Sequence, residues 1–175
     1  AWNEDIGFFI LTNDGLEPVR SANDNTTCGS TYKMAIDEHN NVWLATANDG
    51  LVKYDGKFFT YFDMENSDIP TNSITDVKID DGGNVWGVGG NFLFQYDGHI
   101  FHKIIYDSNY TNDYLLSLDV DGEDVYVGSR YQGLLKLNNE RLSVIPLEAN
   151  SIQTNTLTGS GCVDEKGNFW GGCLE

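Results

Sequence analysis

The sequence predicts an all-β fold built of about four repeats, each a blade of four antiparallel strands. Three observations carry that expectation. Ile36–Phe62 and Ile79–Ile104 are copies of one pattern, Leu118–Ile145 is a worn copy, and Val163–Cys173 begins a further one. A large aromatic recurs at Trp43, Trp86, Tyr126 and Trp170, with spacings of 43, 40 and 44 residues. A Thr-Asn pair stands upstream of the last three, at Thr71-Asn72, Thr111-Asn112 and Thr154-Asn155. Two markers sharing one period of roughly 40–50 residues are the signature of a β-propeller, one blade per repeat.

Composition agrees with that class. The 175 residues suffice for one domain with a sizeable core, and 40% apolar with 13% aromatic residues suit a folded chain. Nineteen glycines against three prolines fit many tight turns between short strands. Ten basic against 27 acidic residues leave a net charge of −17, so nothing here displaces counterions from a phosphate backbone. Nucleic acid is therefore excluded as a partner of this segment. No apolar run reaches the length needed to cross a bilayer as a helix, so membrane insertion is not expected either.

The elements follow in order. Gly7–Arg20 matches a second and third strand, with Asn13-Asp14-Gly15 aligned to Asn48-Asp49-Gly50; it ends a partial blade over 1–29. The blade over 30–68 has strands at Lys33–Asp37, Val42–Ala47, Leu51–Tyr54 and Phe58–Phe62. Its last two turns, Asn48-Asp49-Gly50 and Asp55-Gly56, supply the positive φ angles tight hairpins need. The blade over 69–108 repeats the scheme with Gly89-Gly90-Asn91 and Asp97-Gly98. A blade over 109–150 and a partial blade over 151–173 complete the segment. Both ends then carry a second strand, which points to a slice of a larger propeller. There is no starting Met and no signal peptide, so the segment reads as mature or excised. Leu174-Glu175 breaks the repeat and reads as a cloning scar.

A large flat side chain on the second strand fills the wedge between neighbouring blades, so Trp43, Trp86, Tyr126 and Trp170 are expected to be blade packing. Asp37, Asp80 and Asp164, each six residues before its aromatic, lack the ladder of oxygen ligands that a calcium loop requires and read as turn residues. Cys28, Cys162 and Cys173 are odd in number without C-x-x-C spacing; free thiols are expected, with a Cys162–Cys173 bridge as the alternative. His39, His99 and His102 form no metal pattern. No metal and no cofactor is expected.

These residues resemble the two-component regulator propeller repeat. The pattern is carried by Ile69-Pro70-Thr71-Asn72-Ser73-Ile74, by Ile79-Asp80-Asp81-Gly82-Gly83-Asn84-Val85-Trp86, and by Gly50-Leu51-Val52-Lys53-Tyr54-Asp55-Gly56. Departures are Gly87-Val88-Gly89, Tyr126-Val127-Gly128, and Asn138-Asn139 in place of Asp-Gly. The resemblance implies a periplasmic sensor region of Bacteroidetes hybrid two-component systems, tied to polysaccharide use, with kinase and receiver elsewhere in the parent chain. It also implies other blades and a homodimer as partners.

Ligand recognition in such a ring lies in loops at one face. Asn48, Asp49, Tyr106, Tyr110, Tyr114, Arg130, Tyr131 and Gln132 are the candidates, because aromatic faces beside Asn, Asp and Arg suit an oligosaccharide. The competing role for the tyrosines is shielding of the blade junction. The expected function is thus a non-catalytic sensor segment that binds a glycan or a partner on the propeller face. A secreted structural or interaction propeller and a polysaccharide-degrading enzyme are the alternatives.

Overall fold

The computed structural model describes residues 8–22, 28–106, 113–145, 157–164, 166 and 168–173, and every regular element among them is a strand. Three four-stranded antiparallel sheets follow one another along the chain. Blade I comprises β3 (Thr31–Ile36), β4 (Val42–Thr46), β5 (Leu51–Tyr54) and β6 (Phe59–Phe62). Blade II comprises β7 (Asp76–Ile79), β8 (Val85–Gly89), β9 (Phe92–Tyr96) and β10 (Phe101–Ile105). Blade III comprises β11 (Leu115–Asp121), β12 (Asp124–Ser129), β13 (Gly133–Asn138) and β14 (Arg141–Val144). Two hairpins flank them, β1 (Phe9–Thr12) with β2 (Gly15–Pro18), and β15 (Leu157–Val163) with β16 (Phe169–Cys173). The strands of blade I fall within two residues of the sequence expectation, because alternation and turn residues bound each one.

The first hairpin corrects that expectation. Val19 N–H donates to the Phe8 carbonyl at 3.0 Å, as Ile145 N–H donates to Leu134 at 2.8 Å beside β13 and β14. Because β2 is followed directly by β3, the first strand of blade I, the pair holds the place of a third and fourth strand, not a second and third. Exposure agrees: Val77 and Ile79 of β7 pack against Trp43 of blade I, whereas their counterparts Met34 and Ile36 of β3 are exposed. No inner strand pair precedes them among the described residues. Asn13-Asp14-Gly15 shares its letters with Asn48-Asp49-Gly50, yet it closes a two-residue turn in which Thr12 pairs with Gly15. The hairpins β1–β2 and β15–β16 thus supply different halves of a blade.

The core lies between blades. Trp43, Ala45, Leu51, Ile69, Ile74, Val77, Val85 and Phe94 close the gap from blade I to blade II. Val88, Leu93, Leu115, Leu118, Val127 and Leu135 lie between II and III. A buried ring of about 200 Å² at about 25 cal/mol per Å² contributes roughly 5 kcal/mol before entropy is subtracted, so the wedge aromatics dominate each gap. The innermost strands are also stitched together. Thr75 Oγ1 donates to the Leu115 carbonyl at 3.0 Å, Asp76 accepts the Leu118 N–H at 3.0 Å, and Lys78 pairs with Asp119 at 3.1 Å.

Local substitutions explain the worn copies. A Cβ on Gly87 would lie 2.2 Å from the Phe94 ring, and Gly87 stands where blade I has Leu44. Phe94 in turn stands where blade I has Val52, so a small residue on β8 makes room for a large one on β9. In blade III the tight turn uses Asn139 at φ 48° and Glu140 at φ 62°, the left-handed pair that a two-residue hairpin requires.

Candidate functional site

The wedge position carries an arrangement that spacing alone did not disclose. Trp43 Nε1 donates to Asp37 Oδ2 at 3.0 Å, Trp86 Nε1 to Asp80 at 2.9 Å, and Trp170 Nε1 to Asp164 at 3.0 Å. Each carboxylate also accepts the backbone N–H and the side-chain amide of an Asn two residues before the Trp: Asn41, Asn84 and Asn168. Burial alone would raise the Asp37 and Asp80 carboxyls, but donors from Asn and Trp hold both below the ordinary range. Asp164 is held low chiefly by Trp170 and Asn168. The Asp is thus the hub of a turn whose oxygens face N–H donors. The signal was present as Asp-x-x-x-Asn-x-Trp, repeated three times. Blade III differs: Tyr126 donates to Asp124 at 3.3 Å and Lys136 to the same carboxylate at 2.6 Å.

Of the wedge aromatics, Trp43 and Trp86 are buried and Tyr126 half-buried, as packing requires. Trp170 departs from the expectation and is 64% exposed. Trp43, by contrast, is covered by Phe62 of its own blade and by Tyr96 of the following one.

At the loop face the structure gathers four of the eight candidates, Tyr114, Arg130, Tyr131 and Gln132, at one corner of blade III. Asp113 and Ser129, both buried, form its base: Ser129 Oγ donates to Asp113 at 2.8 Å. The Tyr131 N–H donates to Asp113 at 3.1 Å and the Gln132 N–H to Ser129 Oγ at 3.0 Å. The Arg130 N–H donates to the Tyr114 carbonyl at 2.9 Å, and the Arg130 guanidinium lies 5.2 Å from the Tyr131 ring centre. Tyr114 and Arg130 are exposed, while Tyr131 and Gln132 are half-buried. Asp113 went unnoticed in the sequence because nothing in an isolated Asn-Asp-Tyr stretch marks a buried carboxylate.

The other candidates lie elsewhere. Tyr106 is 4% exposed, packed among Leu115, Val127 and Leu135, with its hydroxyl on Asp113 at 3.3 Å. It shields the blade junction and presents no surface to a ligand. Asn48 and Asp49 occupy the equivalent turn of blade I, two blades away, where Asp49 accepts the Gly29 N–H at 3.0 Å. Tyr110, Thr111-Asn112 and Thr154-Asn155 lie outside the described residues. Asn72 works as a cap: its carbonyl accepts the Gly50 N–H at 2.9 Å and its side chain the Met64 N–H at 2.8 Å. Cys28 is buried and Cys162 exposed, both free thiols; burial pushes the Cys28 thiol up. The side chain of Cys173 lies outside the described residues, and with it the bridge alternative.

No protein-family model and no curated protein matches the sequence. Solved structures do. The extracellular domain assigned to the hybrid two-component system BT3049 of B. thetaiotaomicron superposes with a TM-score of 0.71 at 15% identity, over 97% of this chain and 23% of that one. The extracellular domain assigned to BT4673 of the same organism gives 0.53 at 19% identity, over 97% and 29%. Virginiamycin B lyase from Staphylococcus aureus gives 0.64 at 10% identity, over 93% and 55%. The chain has the fold of a β-propeller segment. It spans under a third of the length of the two Bacteroides domains.

Proposed function

We propose that this chain is a non-catalytic sensor segment of an extracytoplasmic two-component signalling protein, periplasmic in the cell, which binds an oligosaccharide at the loop face. The likeness to the BT3049 extracellular domain over 97% of the chain carries the sensor part of the reading. The corner of Tyr114, Arg130, Tyr131 and Gln132 supports the ligand class, since a sugar takes a ring face on one side and amide or guanidinium donors on the other. Further blades of a parent chain are its first partners, and pairing of two parent copies is the second.

The lyase likeness supports a second reading, an enzyme acting at the same face. Against it, Asp113 has Ser129, Tyr131 and Tyr106 as donors, and Asp76 has Leu118 and Val77, so these buried carboxylates are engaged in the frame. Calorimetric titration with a panel of oligosaccharides tests the proposal. Binding that is lost in Tyr114→Ala and in Arg130→Ala, without turnover of the sugar, is the expected result. A panel without a single binder removes the sugar, and product formation moves the chain to the enzyme reading.

A further inference from the structure

Each blade sets a third-strand residue directly across from its wedge aromatic: Lys53 opposite Trp43, Gln95 opposite Trp86, Lys136 opposite Tyr126. The Lys53 ammonium lies 5.3 Å from the Trp43 ring centre, and that of Lys136 lies 5.1 Å from Tyr126. Blades I and III thus cover their ring with a cation of their own. Blade II offers the uncharged Gln95.

The gap on that side is also less filled. Between blades I and II, Phe62 stacks on Trp43 at 5.9 Å, and Tyr96 and Phe101 pack around Phe62 at 5.1 and 5.7 Å. By register, the corresponding positions between II and III are Ile104, Leu137 and Leu142. Three rings become three aliphatic chains, and the lost volume is a cleft with lobes of about 400 and 720 Å³. Trp86 and Gln95 line both lobes. Asp81 and Glu123 rim the first, and Glu140 the second. His102 and Lys103 also line the second lobe, each with a partner of its own: Lys103 lies over Phe92 at 5.8 Å and the His102 ring nitrogen hydrogen-bonds Asp97 at 3.2 Å.

We propose that this cleft binds an alkylammonium ion, which takes at Trp86 the place that Lys53 and Lys136 fill at their own rings. An aromatic face attracts a cation, more strongly where water is scarce, and the acidic rim complements the charge. Ile104 and Leu137 give the alkyl stem an apolar wall. The cleft opens beside the β7–β8, β11–β12 and β13–β14 turns, at the opposite end of the blades from the Tyr114–Gln132 corner. Its occupancy is therefore independent of the sugar reading.

The test titrates n-butylammonium chloride into the protein and follows the Trp86 indole N–H resonance, assigned by its loss in Trp86→Phe. A saturable shift with butylammonium, and none with n-butanol, is expected. Gln95→Lys supplies the cation in place and weakens binding by about tenfold or more. Glu123→Gln with Glu140→Gln weakens it by about threefold. Lys53→Gln uncovers Trp43 but opens no second site, because the ring cluster still fills that gap. Cadaverine and N-acetyl-lysine methylamide then distinguish a free amine from a protein side chain by which binds more tightly. The proposal is overturned by the absence of a saturable shift, by equal binding of butanol, or by undiminished affinity in Gln95→Lys of unchanged thermal midpoint. Should Gln95→Lys not fold, undiminished affinity in the Glu123/Glu140 pair overturns it.

Discussion

The indole N–H of Trp86 donates to the carboxylate of Asp80 at 2.9 Å, closing a six-residue link across the first hairpin of its blade. The same carboxylate takes both N–H groups of Asn84. Asp80→Ala leaves these partly buried donors without their acceptor. A loss of about 1–3 kcal/mol is expected in urea unfolding. An unchanged midpoint would reduce the link to a surface detail.

The same hubs set the response to acid. Asp37, Asp80 and Asp164 have folded-state values below their unfolded ones, and Asp97 is drawn down to about 2, chiefly by the Ile100 and His99 N–H groups and then by His102. A depressed carboxylate contributes stability that is complete above its ordinary value near 3.8 and is lost as pH falls through the folded value. The share of the thermal midpoint due to these groups should hold steady down to that value and fall steeply between it and about 2, while Asp76, raised by burial, acts in the opposite sense. Asp80→Asn should flatten part of that fall.

Gly87 and Phe94 form an exchangeable pair. Gly87→Ala drives a methyl into the Phe94 ring and should cost about 1–3 kcal/mol. Phe94→Leu alone opens a void of similar cost, since a buried ring loses several contacts. Combined, the two should cost less than their sum, with a coupling of about 1 kcal/mol in a double-mutant cycle.

Equivalent tryptophans should differ sharply in worth. Trp43→Ala removes a buried ring and should cost about 3–5 kcal/mol. Trp170→Ala, on a 64% exposed ring, should stay within about 0.5 kcal/mol in this chain. Parallel guanidinium melts of the two variants decide the point.

Much of the frame was legible because its signals are local. Alternation and turn letters bounded β3 to β6, the repeated turns marked the next blade, and the recurring aromatics located the wedges. What escaped depends on partners far apart in the chain or on geometry that letters share. Asn13-Asp14-Gly15 spells the turn of Asn48-Asp49-Gly50 but closes a shorter loop, which the pairing of Thr12 with Gly15 and the place of β2 directly before β3 reveal. For Tyr106 the connector left a loop-face site and shielding of the blade junction both open; its burial depends on Leu115, Val127 and Leu135. Asp113 acquires meaning only when Ser129, sixteen residues on, swings back beneath it. The cleft at Trp86 is visible in sequence only when Gln95 is set against Lys53 and Lys136.

The bond from Trp170 to Asp164 forms although no blade covers that ring. The link therefore forms without burial of its ring, within a hairpin that packs through β15 on β11 and β12. Each repeat can nucleate within a dozen residues, where loop-closure entropy is small, and only afterwards zip onto the blade beside it. Order would then spread along the chain as in a one-dimensional array, and loss of one hub would slow a single step of that spreading while leaving distant blades intact.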